Sequence, residues 1–524
     1  MRSRGLTAAL SLLFLGGLHS PASSDVFPVT DLGDSGSGTL RQALIDAGDP
    51  AGAPHTIVFD VAGAIQPLTP LPPLSVDGTE VHGELDSDGY ACSGCDPRIL
   101  IWGNLTTGSG LVIAAESCSV SGLIIMGFSG PGIELGPDAQ WSRVGQPGPE
   151  CCERVYLTNN ATGVVIYGTT PSNNIVQNCR IYNNTGNGVE VLSGPIHNSI
   201  GVDADERRNY IYGNGANGVL FEALEFADVE NDTIAGNVIY ENTDNGILFF
   251  GGGNPSCVTR CVITGNKIGI DEDNAAAGNG LDGVRLRNCS PENEITDNLI
   301  VHNGHNGINL LESSHQDSVA SNYIGIDPDG TVRSNQYNGI HIQTDANMVG
   351  PDNVIMHNGA GGTEFNGITL KCGGAYAPGQ NTIWSNTIAA NTGSGVMMGG
   401  VGTVENVVIQ NDIGTDAAYS DLGNSEYGVE LQGGASLNRV LGNTIGFNTD
   451  YGVTIASAAD DNDVLGNAIG TDDGGELDLG NGGGILIGSS DNVIGGTTPG
   501  DGNVIGFNSG WGIMASAGSE QSGN

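Results

Sequence analysis

Aromatic residues make up only 5% of this 524-residue chain, and charged residues only 14%. Lys and Arg number 16 against 59 Asp and Glu, a formal charge of −43. So little basic charge excludes nucleic acid and anionic membrane surfaces as partners, because both would be repelled. The scarcity of rings excludes a bulky aromatic core and suits a narrow one filled by Ile, Val and Leu. Beyond residue 24 no apolar run is long enough to span a bilayer. Cys92-x-x-Cys95 has no second CxxC and no suitably spaced His, which argues against zinc and for a local Cys92–Cys95 disulfide. Cys257-x-x-x-Cys261 reads similarly, as a clip across one turn. Gly is plentiful at 86 residues, yet there is no G-X-Y period, so collagen is excluded.

What the chain has in quantity is one phrase. At 235–249 it reads AGNVIYENTDNGILF, with Asn237, Ile239, Asn242, Gly246 and Ile247 as the recurring positions. It returns at 209–219, 298–308, 386–396, 443–453 and 503–513. A short apolar strand, a polar turn, Gly and a second apolar strand cannot bury a core alone. Such a unit gains stability by stacking on copies of itself, so a parallel β-solenoid is expected. Gly is expected to supply φ > 0 at a tight corner, and Asn to serve the turns. The Gly before Val or Ile can be followed through fourteen copies from Gly132 to Gly512, about 29 residues apart on average. At 4.8 Å per coil this gives a rod on the order of 65 Å long.

Residues 1–24 have a basic start, an apolar middle and small residues at the end, the pattern of a secretory signal. Residues 25–61 differ from the repeats. Thr39 is expected to cap a short helix in a capping box with Gln42, and Leu40, Ala43, Leu44 and Ala47 form its apolar stripe. Such a helix would cap the first coil. Residues 62–524 form the solenoid, with early coils at 68–74, 79–82 and 99–102 and a loop at 86–96. The last phrase ends at Ile513 with no visible capping element, so the open edge is expected either to pair with a partner, as in self-association, or to mark a chain that once continued.

The segment Gly38-Thr39-Leu40-Arg41-Gln42-Ala43-Leu44, followed by Thr56-Ile57-Val58-Phe59, resembles the N-terminal segment of exported bacterial right-handed β-helix repeat proteins, near the CSLREA-type branch. The repeats are similar to those of pectate-lyase-like proteins. The resemblance implies an all-β, right-handed parallel β-helix, exported or cell-surface, with acidic or neutral polysaccharides as its substrate class. Hydrolysis is disfavoured, because Asp460-Asp461 and Asp472-Asp473 lack their companion motifs.

Four insertions share the form N-x-I-G-[IT]-D and carry Asp271, Asp327, Asp416 and Asp472. Asp273 and Asp329 add a second carboxylate to two of them. These form a candidate calcium column, set against the alternative of an Asx turn.

Strand parity points to a different surface. Positions two and four beyond each corner Gly face outward. Over successive coils they are Leu220/Glu222, Leu248/Phe250, Arg285/Arg287, Asn309/Leu311, His341/Gln343, Thr369/Lys371 and Met397/Gly399. Arg285, Arg287, His341, Gln343 and Lys371 therefore form a candidate glycan-binding face. The expected function is an exported, non-catalytic β-helix protein binding a glycan or associating with a surface or matrix. The alternative is a polysaccharide lyase or epimerase acting on uronic-acid-containing polymers.

Overall fold

The period-2 pattern of each phrase decides which residues enter the core. In the strand Ile247–Gly251, Ile247 and Phe249 are fully buried while Leu248 and Phe250 point outward. The computed structural model describes residues 25–515 apart from 84–96, 98, 105–107, 147–153, 169–171, 195, 203–206, 225–226, 253–255, 363–364 and 457. The expected leader, the 86–96 loop and the Cys92–Cys95 bridge lie outside the described residues.

Among these, three long sheets of 17, 16 and 15 strands run along the molecule. One coil visits them in turn, as in Val262–Thr264, Lys267–Ile268 and Val284–Arg287. Each strand pairs in parallel with its equivalents in neighbouring coils, for example Val284 between Ile247 and Ile308. A continuous Ile, Val and Leu core fills the space between the sheets. A two-stranded ribbon joins Val229–Glu230 to Val258–Thr259.

The helix Leu40–Asp46 buries Leu40, Ala43 and Leu44 at the start of the core, as expected of a cap. Thr39 Oγ1 accepts from the Gln42 amide at 3.3 Å. Gln42 does not complete the box, because its Nε2 donates instead to Asp46 Oδ1 at 2.8 Å, one turn ahead. The expected strand at 68–74 is absent. Pro70, Pro72 and Pro73 cannot donate to a ladder; of this segment Leu74 makes an isolated parallel bridge to Ile113 of the third sheet, while Gly63–Ile65 forms a strand of the second.

The corner glycines are where expected, but for a different reason. Gly246 and its equivalents do not have positive φ. A Cβ on Gly246 would instead lie 2.6 Å from Gly283 O and 2.7 Å from Ile268 Cγ2. Close approach of coils, and not left-handed backbone, demands glycine here. Positive φ falls one residue before the first Asn of the phrase, at Gly236, Gly265, Asp297 and Ser321.

The asparagines form buried ladders along the axis. Asn237 accepts from Asn209 Nδ2, and its own amide and Nδ2 both donate to Asn266 Oδ1 at 2.9 Å. Asn242 belongs to a second such ladder through Asn214 and Asn279. These bonds satisfy polar backbone at corners that water cannot reach.

Asp replaces Asn in a third ladder. Asp317 Oδ1 accepts from the amide and Nδ2 of Asn293, and the carboxyl is fully buried. Burial pushes its pKa well above the usual carboxylate range, against the lowering effect of hydrogen bonds from Asn293 and Ser314. The native state therefore holds a proton that the unfolded chain releases at a lower pH. Its contribution to stability is present at acid pH and is lost as pH rises from the unfolded carboxylate pKa through the raised native one. Asp317→Asn should keep the acceptor and add a donor toward Asn347. The expected result is a higher melting temperature than wild type at pH 8 and a smaller difference at pH 4, read by thermal denaturation.

Cys257 forms a disulfide with Cys289, 32 residues on, with Cα atoms 4.8 Å apart. The expected Cys257–Cys261 clip is thus corrected. Cys261 takes a core position in its coil, with its thiol buried and its pKa pushed well up by that burial.

Candidate functional site

The third sheet builds one continuous outer face from Val219–Ala223, Ile247–Gly251, Val284–Arg287, Ile308–Leu311, Ile340–Ile342, Ile368–Lys371, Val396–Gly399 and Val429–Gln432. Registers place Leu248, Arg285, Asn309, His341, Thr369 and Met397 in one column. Phe250, Arg287 and Leu311 begin the column beside it, and Lys371 is opposite Gly399 further along. Gln343 follows Ile342, and its amide bonds Leu310 O at 2.9 Å. The structure therefore brings Arg285, Arg287, His341, Gln343 and Lys371 onto one face. Asp271, Asp273, Asp327 and Asp329 lie elsewhere, on insertions that follow strands of the second sheet.

The face is less exposed than parity alone suggests. Asn309, Thr369 and Met397 point outward yet are only 6%, 4% and 7% exposed, and Asn309 and Thr369 are hydrogen-bonded to the polar ladder at the edge of the sheet. A parallel polar ladder runs along the edge through Asn217, Asn245, Asp282, Asn306, Asn338 and Asn366. Asp282 is the one carboxylate in it. Its Oδ1 accepts from the amide and Nδ2 of Asn306, and its Oδ2 accepts from Asn309 Nδ2 at 2.8 Å.

The bond from Asn309 to Asp282 sets the orientation of His341. With its amide nitrogen committed to Asp282, Asn309 turns its carbonyl to His341, where ring Nδ1 lies 3.0 Å away. Nδ1 must then carry the proton and donate, leaving the Nε2 lone pair free. Burial is the largest influence on His341 and pushes its pKa down to about 4; Asp282 opposes this, while Lys371 and Arg285 add to it. His341 is accordingly neutral at pH 7 and adds no charge to the three cations of the face.

The true cations differ in their partners. Arg285 lies 3.7 Å from Asp282 Oδ2, and its buried Nε has no hydrogen-bond partner. Arg287 forks onto Glu312 at 2.8 Å and lies 5.4 Å from the centre of the Phe250 ring. Lys371 is exposed and makes no ion pair among the described residues. Leu220, Leu248, Phe250, Arg285 and Arg287 help line a groove of about 240 Å³. Lys371, Met397, Glu426, Tyr427, Glu430 and Asp450 help line a second groove of about 420 Å³ further along the same face.

Sequence reasoning missed Asp282, because the parity test began after the corner Gly. Extending it backwards would place Asp282 inward but finds His305, Tyr337 and Phe365, each two residues before its Gly. They stack along the rim with ring centres 4.7 and 4.4 Å apart. Lys267 lies on the second sheet, away from this face.

The insertion aspartates make turns. Asp271 Oδ1 accepts from the amides of Asp273 and Ala275 at 3.0 and 2.7 Å. Asp329 Oδ1 accepts from Thr331 N at 2.9 Å, and Asp327 pairs with Arg333. No three His, Cys, Asp or Glu side chains converge as a metal group among the described residues.

Residues 109–326 match a family described as "Right handed beta helix region", and residues 325–504 match one described as "Periplasmic copper-binding protein (NosD)". No curated protein matches the chain. Among solved structures it is similar to the A-module of Azotobacter vinelandii mannuronan C-5 epimerase AlgE4, at 15% identity over 80% of this chain and 95% of that one, with a TM-score of 0.43. The AlgE6 A-module of the same organism gives 16%, 84%, 98% and 0.44. The catalytic unit of a GH87 α-1,3-glucanase from Streptomyces thermodiastaticus gives 12%, 96%, 71% and 0.36. Likeness at this level carries no argument about activity. No helix among the described residues is long and apolar enough to cross a membrane.

Proposed function

We propose that this right-handed parallel β-helix repeat protein is exported and uses its third-sheet face to bind an anionic glycan without transforming it. One observation carries this. Three of the fourteen Lys and Arg beyond residue 24 (Arg285, Arg287 and Lys371) stand on one face beside apolar Leu248, Phe250 and Met397. In a chain of net charge −43, such a place is where a carboxylate-bearing sugar finds both a counter-charge and an apolar floor. Export is supported by the pattern of residues 1–24 and by the Cys257–Cys289 disulfide. A glycan array with wild type, Arg285→Ala and Lys371→Ala tests the binding. Each substitution should weaken retention of uronate-bearing glycans by roughly tenfold, the size expected when a charge-assisted contact is lost. Equal retention by all three proteins would end the proposal.

The Asp282–Asn309–His341 chain favours a second use of the same face. A neutral His341 with Nε2 free, close to Arg285 and Lys371, suits proton abstraction next to a uronate carboxylate, as a lyase or epimerase requires. Incubation with uronate polymers should then give unsaturated products by ultraviolet absorbance, or inverted C5 centres by NMR. Either product should vanish in His341→Ala. The rate should hold from pH 7 to 5 and fall only as pH approaches about 4, where the ring gains its proton. Absence of both products in wild type leaves binding alone.

For a copper role, the one in the name of the second matching family, the matched segment offers no pair of histidines on one sheet, and no three His, Cys, Asp or Glu converge among the described residues. Between 325 and 504 the histidines are His341 and His357. His341 lies on the third sheet, while His357 follows a strand of the second. A calcium role at Asp271, Asp273, Asp327 and Asp329 would compete with the turn bonds that Asp271 and Asp329 accept and with the Asp327–Arg333 ion pair. A calcium-dependent rise in melting temperature would assign it.

A further inference from the structure

We infer that this face selects a sparsely charged heteroglycan, with anionic units separated by neutral ones, and disfavours a polymer carrying a carboxylate on every sugar. The inference rests on the glycan-binding proposal and specifies its ligand.

The cations stand at two stations. Arg285 and Arg287 share one strand, and Lys371 lies three coils further on. With strands stacked at 4.8 Å, the stations are roughly 14 Å apart. Between them the outward positions are Asn309, Leu311, His341 and Gln343, and none carries a positive charge at neutral pH. A carboxylate placed there finds hydrogen-bond donors at best, with buried Asp282 beneath.

Beyond Lys371 the face becomes acidic. Glu426, Glu430 and Asp450 line the 420 Å³ groove on that side, and Glu430 sits directly opposite Met397 in the next coil. Burial and the nearby Glu426 already hold the Glu430 pKa above its usual value, so a further carboxylate would meet a crowded negative field. On the other side Glu222 borders the Arg groove.

The stations are also partly balanced. Glu312 takes one edge of Arg287, and Asp282 lies near Arg285. One ligand carboxylate at the Arg station finds guanidinium N–H groups but no excess charge, since Asp282 and Glu312 balance Arg285 and Arg287. One at Lys371 finds an ammonium with no ion pair among the described residues. Every additional carboxylate falls on a neutral or acidic position, where like-charge contact disfavours the complex. Hydroxyl-rich neutral sugars suit the intervening Gln343 and the free Nε2 of His341, while nearly buried Asn309 and Leu311 add no charge between them.

The test uses the full chain and two end-labelled oligosaccharides of matched length. One is an oligogalacturonate, with a carboxylate on every residue. The other carries uronates separated by neutral sugars. Wild type should bind the sparse ligand at least roughly tenfold more tightly, the scale of one unfavourable like-charge contact. The double variant Glu426→Gln/Glu430→Gln should gain affinity for the dense ligand and narrow the ratio. Lys371→Gln should weaken the sparse ligand. Equal or tighter binding of the dense ligand, with a ratio unmoved in the double variant, would overturn the inference and leave the binding proposal standing. Failure of wild type to bind either ligand would overturn both.

Discussion

Gly246→Ala should destabilise the protein by about 3 kcal/mol, at the upper end of the cost of overpacking. The added methyl would lie 2.6 Å from Gly283 O, 2.7 Å from Ile268 Cγ2 and 3.0 Å from Asn279 Nδ2. The first contact is with backbone in the next coil, which cannot rotate away. The third is with a member of an asparagine ladder whose bonds fix its position. Relief therefore requires two coils to separate, which weakens the parallel pairing of Ile247 with Val284. Because Gly246 does not have positive φ, no backbone strain contributes and the cost is steric. Gly502→Ala is the control, since nothing lies within 4 Å of its added Cβ. It should change stability by no more than about 0.5 kcal/mol. Denaturant unfolding of both variants gives the comparison. Equal midpoints would contradict the close-approach account of the corners.

Asn242→Ala should have an effect of similar size through a different cause. Asn242 Nδ2 donates to Ile211 O at 3.1 Å and to Asn279 Oδ1 at 2.9 Å. Its Oδ1 accepts from the amide and Nδ2 of Asn214 at 3.2 and 2.9 Å. Truncation leaves these buried partners without a mate, at about 1–3 kcal/mol for each group left unsatisfied. A total of roughly 3–5 kcal/mol is expected, since water entering the new space would recover part of the loss. Asn242→Asp separates the two halves of the side chain. It keeps the acceptor, removes the donor, and should be less damaging at acid pH, where the buried carboxyl is protonated. Asp317 already occupies such a place in its own ladder.

The architecture was legible because it depends on order along the chain. From Val219 to Val429 the Gly-Val and Gly-Ile pairs mark where the third-sheet strands begin, and period 2 then gives the outward residues. This is why Arg285, Asn309, His341 and Thr369 fall in one column, as parity indicated. What could not be read was anything decided between coils. The corner glycines looked like turn residues because the carbonyl of the next coil is not visible in a single phrase. Asn237 and Asn242 looked like turn formers for the same reason, although their partners are 29 and 37 residues away. Cys257 found its partner in the next coil, not four residues on. At the candidate site, residue type gave the cations but not their neighbours. Burial keeps the His341 ring neutral against the pull of Asp282, while Asp282 orients Asn309, which holds the ring.

The central claim is that Arg285 and Lys371 mark a glycan-binding face. It is tested most directly by titrating the full chain with an oligosaccharide whose uronates are separated by neutral sugars, at low and physiological salt. The double variant Arg285→Ala/Lys371→Ala is titrated in parallel. The variant should retain the wild-type circular dichroism, lose at least about tenfold in affinity at low salt, and show a flatter salt dependence. Equal affinity and equal salt dependence in the two proteins would contradict the claim.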